Sequence, residues 1–348
     1  LVPSFNFPQP SITDGTDALR PATLRGLSPD QTLVLVNGKR RHTSALLNIN
    51  GSVGRGSAAV DLNTIPPLAI ERIEVLRDGA ASQYGSDAIA GVINIQLRKS
   101  EGGRAQATYG KYITTLDGVA NATGVQVGPT GQPLLDSNAG AGGVYLLTTD
   151  GERKRRDGET LTLASNFGLP IGDQGYVNLT LQYQDRNATN RAGADPRQQY
   201  LSLMGGLADP REQGFGRFSH RFGDAATTDF NMFLNSGVNV SETTELYLFG
   251  SYSIRDAESA GFYRRANDAR NRDWSASTTT FVPFYPNGFL PRIVTTIEDV
   301  SVAAGVRGEL GDAWNFDLSA VYGSNSFEFG VENSFNTSFG RQSAARFD

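Results

Sequence analysis

The chain has 348 residues, a formal net charge of -5, no cysteine, 40 glycines and 39% hydrophobic residues. That is enough apolar chain for one or two packed domains, which excludes global disorder, and the acidic balance offers no electrostatic footprint for nucleic acid. Without Cys there are no disulfides, no thiolate chemistry and no Cys-based zinc sites, and two histidines, His42 and His220, are the remaining soft ligands.

Leu1 to Pro10 has no basic n-region and no apolar h-region, so the natural start of the protein is expected to lie upstream. No apolar run reaches the roughly 18 residues that a spanning helix needs, although strands of a membrane barrel carry a much weaker signal. Up to Lys99 the chain alternates short apolar blocks with turn chemistry. Leu33 to Val36, Ile70 to Leu76 and Gly91 to Leu97 read as buried strands, punctuated by Asn37-Gly38, Pro66-Pro67 and Asp78-Gly79. This part reads as a small α+β globule. Asn48 to Ser57, with Gly51, Gly54 and Gly56, lacks the Lys-Ser/Thr ending of a phosphate loop and reads as a mobile loop.

From Arg104 the period changes to two. Ala105, Ala107 and Tyr109 open the series. Leu161, Leu163, Phe167 and Leu169 then alternate with Thr160, Thr162, Asn166 and Gly168, and Val177, Leu179, Leu181 and Tyr183 with Asn178, Thr180, Gln182 and Gln184. The pattern recurs in Phe230 to Val240, Leu246 to Ile254, Val300 to Val306 and Trp314 to Tyr322, giving seven candidate strands. The basic run Arg153 to Arg156, set among Asp150, Glu152 and Asp157, reads as a solvated loop.

Connections between these strands alternate in length. Pro170 to Gln174, Ser241 to Thr244 and Gly311-Asp312 are short; Ile113 to Gly158, Ala188 to Thr228 and Ser259 to Glu298 are long. A soluble β-sandwich shares the alternation but has little use for three such loops, since connections in compact domains have a median of about 4–6 residues. An outer-membrane barrel has tight periplasmic turns, long outer loops and strands that are apolar outward and polar inward, with aromatic girdles. Tyr109, Phe167, Tyr176, Tyr183, Tyr252, Trp314 and Tyr322 suit a girdle. On this pattern Leu163, Leu179, Leu248 and Phe316 face lipid, and Thr162, Thr180, Tyr247 and Asn315 face the lumen. Seven strands cannot close a bacterial single-chain barrel, so the sheet is expected to continue beyond this chain.

In order, Leu24 to Leu27, Thr32 to Lys39, Ile65 to Pro67, Ile70 to Gly79 and Tyr84 to Ile95 resemble the plug of a TonB-dependent receptor. The resemblance implies an α+β plug (residues 1–100) inside a large antiparallel transmembrane β-barrel of 22 strands, whose first strands occupy residues 101–348. It also implies a bacterial outer-membrane location and active import of a bulky nutrient, such as a ferric siderophore or another scarce organic substrate. The implied partners are a TonB-type energy-coupling protein of the inner membrane, outer-membrane lipid and lipopolysaccharide, and the imported small molecule or metal chelate; no cofactor is implied. Arg77-Asp78-Gly79 stands where many members have Arg-Gly-Pro, which points to a subgroup.

The resemblance makes Arg25 and Arg77 the plug arginines that latch onto barrel glutamates, with those glutamates on strands beyond this chain. It places Arg40, Arg41 and His42, with Asn48 and Asn50 of the adjoining loop, at an outward vestibule where they would meet an acidic or polyhydroxylated ligand. Tyr84-Gly85-Ser86-Asp87 has neither a nucleophile elbow nor a nearby His, so no enzymatic activity is expected. A passive porin is the alternative, as is a structural or binding barrel.

Overall fold

The computed structural model describes residues 3–49, 51–77, 81–137, 143–311 and 313–348. Asn50, the Asp78-Gly79 turn and Asp312 therefore lie outside the described residues. The first unit is built on a mixed four-stranded sheet. Its strands are β3 (Thr32–Val36), β4 (Lys39–Arg40), β5 (Ile70–Leu76) and β6 (Gly91–Leu97), in the order β4-β3-β6-β5. A two-stranded ribbon, β1 (Phe5–Asn6) with β2 (Thr23–Leu24), lies beside it. Asn37 and Gly38 both take positive φ in the β3–β4 turn, the geometry for which Asn-Gly is suited. Strand β3 is buried along its whole length and pairs in parallel with β6, which is why β3 reads as a continuous apolar run, while β6 admits the partly buried Asn94 and Gln96.

The second unit is a seven-stranded antiparallel meander with neighbours in chain order. It comprises β7 (Gly102–Val125), β8 (Leu147–Ile171), β9 (Gly175–Arg186), β10 (Ala226–Ser241), β11 (Thr244–Ala260), β12 (Arg292–Leu310) and β13 (Trp314–Glu332). Residues 172–174, 242–243 and 311–313 make the short connections, all at one end; residues 187–225 and 261–291 make long ones at the other.

The third long connection is shorter than the alternation implied. Strands β7 and β8 run on to Val125 and from Leu147, so much of the expected loop Ile113 to Gly158 is a ladder with bulges. Past the apolar belt one face of this hairpin is largely in water and the other meets the 187–225 loop through polar side chains, so no apolar alternation marks it as strand. The Arg153 to Arg156 run is part of that ladder. Arg153 is 4% exposed, stacks 3.9 Å over the Phe218 ring and donates to the Ala192 carbonyl, so the solvated loop expected there is corrected.

In the central strands alternate residues turn towards the first unit. Along β10, Thr227, Asp229, Asn231, Phe233 and Asn235 are buried, whereas Phe230 and Met232 are exposed on the opposite face. Thr180 and Tyr247 are buried on the inward face, and Leu163 and Leu248 are exposed on the outward one. The apolar core of the first unit, including Val34, Val36, Ile93 and Ile95, is continuous with Phe233, Tyr247, Phe249 and Ala303 of the meander.

Candidate functional site

The structure concentrates buried polar chemistry where the first unit meets the inward face of the meander. The Asn37-Gly38 turn carries Asn37 onto β10, where its Nδ2 donates to Asn235 Oδ1 at 3.2 Å, and Asn235 in turn donates to the Arg98 carbonyl at 3.0 Å. Lys39 Nζ donates to Asp317 Oδ2 at 2.8 Å, and the Tyr247 hydroxyl reaches the other oxygen at 2.7 Å. Gly305 makes room for that tyrosine: a Cβ there would lie 2.5 Å from its hydroxyl. Asp317 and Tyr247 sit near the short-turn ends of β13 and β11, so the β3–β4 turn lies towards that end.

Arg41 and His42 meet the middle of the wall. The Arg41 guanidinium donates to Ser251 Oγ at 2.9 Å, to Thr64 Oγ1 at 3.2 Å and to Asp299. His42 Nε2 bonds the second Asp299 oxygen at 2.8 Å, which Asn325 Nδ2 also reaches at 3.0 Å. Gly323 permits this approach, because a Cβ there would stand 2.3 Å from His42 Nδ1. Nearer the long-loop end, Arg255 of β11 joins Asp229 of β10 to Asp61 of the first unit and also donates to the Ala18 carbonyl at 2.9 Å. A guanidinium suits such a junction, since its planar fork serves several acceptors at once.

The residues singled out in the sequence are dispersed. Arg25 is exposed with φ 59°, and Arg77 is exposed at the end of β5, on the side of the sheet remote from β3. Arg40 is exposed and paired with Asp87. Arg41 and His42 face the wall, and the Asp299 carboxylate that engages both is why they do not open onto a vestibule as expected. Asn48 is buried, and its Nδ2 donates to the Val53 carbonyl at 3.2 Å. With the Asn48 amide on the Ser57 carbonyl at 2.8 Å, this closes the 48–57 loop on itself and leaves Leu47, Ile49 and Val53 exposed.

The wall residues Asp229, Asp299 and Asp317, and Asp61 of the first unit, were not anticipated, because a charged residue on the inward face reads as lumen polarity until its partner is known. Phe233 and Phe249 did leave a trace: each lies in an unbroken apolar run, Met232-Phe233-Leu234 and Leu246-Tyr247-Leu248-Phe249, that interrupts the alternation. Beneath the 261–291 loop a cleft of about 590 Å³ is lined by Asp14, Arg264, Arg270, Phe289, Phe329 and Phe335 among others. Among the described residues no group of three His, Cys, Asp or Glu is placed to hold a metal ion.

A compact plug seated on the polar face of an antiparallel sheet, whose opposite face is apolar and whose connections are short at one end and long at the other, defines a plugged barrel of the outer membrane. Residues 1–92, about a quarter of the chain, match the TonB-dependent receptor plug domain family. It is 38% identical over 120 residues to the vitamin B12 transporter BtuB of Vibrio cholerae serotype O1, a match covering 34% of this chain and 18% of that protein. It is 45% identical over 95 residues to the iron-regulated outer membrane virulence protein of the same organism, covering 27% of this chain and 14% of that one. These matches thus span less than a fifth of the relatives' length. The crystal structure of the siderophore receptor PirA from Acinetobacter baumannii aligns over 95% of this chain and 41% of that one, at 19% identity and a TM-score of 0.45.

Proposed function

We propose that the protein to which this chain belongs actively imports a bulky, scarce nutrient across the outer membrane: a ferric siderophore or another organic substrate of that size. The observation that carries this reading is the seating of the plug. It is held to the wall by ion pairs and amide contacts around a modest apolar patch, an interface whose charges water can take over when it parts. Two of the relatives are named for cobalamin transport and for iron regulation, which fits import of a nutrient too large for passive diffusion.

In this mechanism substrate arrives at the long-loop end and is held by the loops and the outward face of the plug. The cleft carrying Arg264, Arg270 and several Phe rings gives an anionic or aromatic group both charge and a stacking surface. Arg40 and the 48–57 loop, including Asn50, are further candidates for ligand contact. A TonB-type protein of the inner membrane then draws the plug from the wall; outer-membrane lipid and lipopolysaccharide surround the barrel. Arg25 and Arg77 are the proposed latch to carboxylates on other strands of the barrel. The chemistry is binding and gated passage, with no covalent step.

The test is uptake by whole cells of a panel of iron-55-labelled ferric chelates and of labelled cobalamin, with and without a protonophore. Uptake that needs this protein and collapses with the proton gradient supports active import; uptake that persists identifies a passive porin.

A further inference from the structure

Asp17 is set apart from the other acids at the plug–wall contact. Asp61 and Asp229 share Arg255, Asp299 has Arg41 and Asp317 has Lys39. Asp17 is 5% exposed, and among the described residues neither of its carboxylate oxygens has a hydrogen bond of ordinary geometry or a basic partner. It sits in the short helical turn Thr16–Ala18, which packs against β11, while Gly15 of the same turn lies against Phe327 of β13, where a Cβ would come within 3.0 Å of the ring. The Ser259 hydroxyl of β11 acts on its carboxyl, and Thr13, Thr16, Ser259 and Thr295 are likewise buried with unpartnered hydroxyls.

Among the described residues none of the charged groups around it forms an ion pair with it. On its own turn stands Asp14, a like charge. From β11, Arg255 is spent on Asp61 and Asp229, and Glu258 on Arg221 and Arg292. From β12 the inward acid is Asp299, held by Arg41 and His42, and β13 offers Phe327 and Phe329. Within the plug the Arg20 side chain lies over the Phe7 ring, and Arg264 of the 261–291 loop lines the cleft with Asp14. A carboxylate buried without a counter-charge is among the costliest states a protein can hold, and the usual resolution is to take up a proton.

We propose that Asp17 is a neutral acid while the plug is seated and releases its proton to water when the plug leaves the wall, so that seating is coupled to pH. This rests on the reading of residues 1–97 as a plug that can part from the wall. Burial pushes the Asp17 carboxyl up from its ordinary value of 3.8, outweighing the Ser259 hydroxyl and the Thr13 and Asp17 amides, and Asp14 adds to the rise. The seated state therefore binds more protons than the unseated one. Its advantage is complete below the ordinary carboxylate pKa and is lost as pH rises towards the raised value, beyond which it stays constant.

The test uses the full-length receptor in detergent and follows hydrogen-exchange protection factors of the segment 11–22 from pH 4 to pH 8. It needs no substrate, so its failure is separate from any failure of the import reading. In the wild type, protection is expected to fall by about tenfold per pH unit across the window and then level off. In Asp17→Asn, which is neutral at every pH, it stays high and flat, and in Ser259→Ala the slope persists. A carboxylic-acid infrared band in the wild type that disappears over the same window is the check that requires no variant. A flat wild-type profile, the same slope in Asp17→Asn, protection set by added sodium or calcium instead of by pH, or no such infrared band would overturn the proposal.

Discussion

Arg255 of barrel strand β11 donates from Nη1 to Asp61 of the plug at 2.7 Å, and the two side chains are only 6% and 1% exposed. The same guanidinium holds Asp229 of the neighbouring strand, so one arginine ties two wall strands to the plug.

Replacing Arg255 by Met should therefore loosen the plug far more than its volume implies. Removing one partner of a buried pair leaves uncompensated charge and costs roughly 3–5 kcal/mol, here with two carboxylates stranded. The expected outcome is a large loss of hydrogen-exchange protection in segments 13–20 and 59–65, with the barrel strands unchanged. A double Asp61→Asn, Asp229→Asn change added to Arg255→Met should restore much of it. Unchanged plug protection in Arg255→Met would remove this junction from the seating of the plug.

Arg40 and Arg41 are neighbours in sequence and should behave oppositely. Arg41 is buried against Asp299, whereas the Arg40–Asp87 pair is about half exposed, and exposed pairs contribute about 0–1 kcal/mol. Arg41→Ala is expected to destabilise plug seating, measured as thermal release of the plug to protease, while Arg40→Ala leaves it unchanged. Salt dependence of substrate binding should move in Arg40→Ala if that side chain meets an anionic ligand. Equal stability effects in the two variants would contradict the burial contrast.

Spin labels at Leu163, Leu179, Leu248 and Phe316 should be quenched by membrane-dissolved oxygen. Labels at Thr162 and Asn315 should respond to an aqueous quencher, and those at Thr180 and Tyr247, buried against the plug, to neither until the plug is displaced. The reverse pattern would turn the sheet inside out.

In the 187–225 loop, Asp195 is 3% exposed and gathers Arg197 and His220. Burial pulls its pKa up, but the hydrogen bonds from His220, from the Arg197 guanidinium and from the Arg197 amide outweigh it, and the carboxyl is held well below the usual range. A depressed acid stabilises the loop above the ordinary carboxylate pKa and loses that contribution as pH falls through and below it. Limited proteolysis should find the loop as resistant at pH 5 as at pH 7 and more susceptible near pH 3. In Asp195→Asn the pH 7 rate should rise and the acid-induced change shrink. An unchanged pH profile in that variant would discount the cluster.

The strands that cross the membrane were legible because lipid on one side and plug or water on the other impose a period of two, as in Phe230, Met232 and Leu234 against Asp229, Asn231 and Asn235. The outer ends of β7 and β8 were not, since Thr114, Thr115, Asp117 and Asn121 lie where one face is largely in water and the other meets a polar loop, with no reason for apolar alternation. The plug's buried blocks were legible for the opposite reason: Thr32 to Val36 has no wet face at all. What periodicity cannot carry is pairing at long range. Asp299 lies 258 positions from Arg41 and Asp61 lies 194 from Arg255, so the seating contacts emerge only once the plug is placed on the wall.

The most direct test of gated import is to stop the plug from parting. Asn37 and Asn235 touch across the interface and these 348 residues contain no cysteine, so a double Asn37→Cys, Asn235→Cys receptor, with any cysteine elsewhere in it replaced by serine, can be tethered by a short bis-thiol cross-linker that carries a reducible spacer. With the cross-link formed, uptake of whichever ferric chelate or cobalamin the wild type takes up should cease while substrate binding at the cell surface is kept, and a reductant that cleaves the spacer should restore uptake. Full uptake through the tethered receptor would contradict a plug that has to leave this wall for substrate to pass.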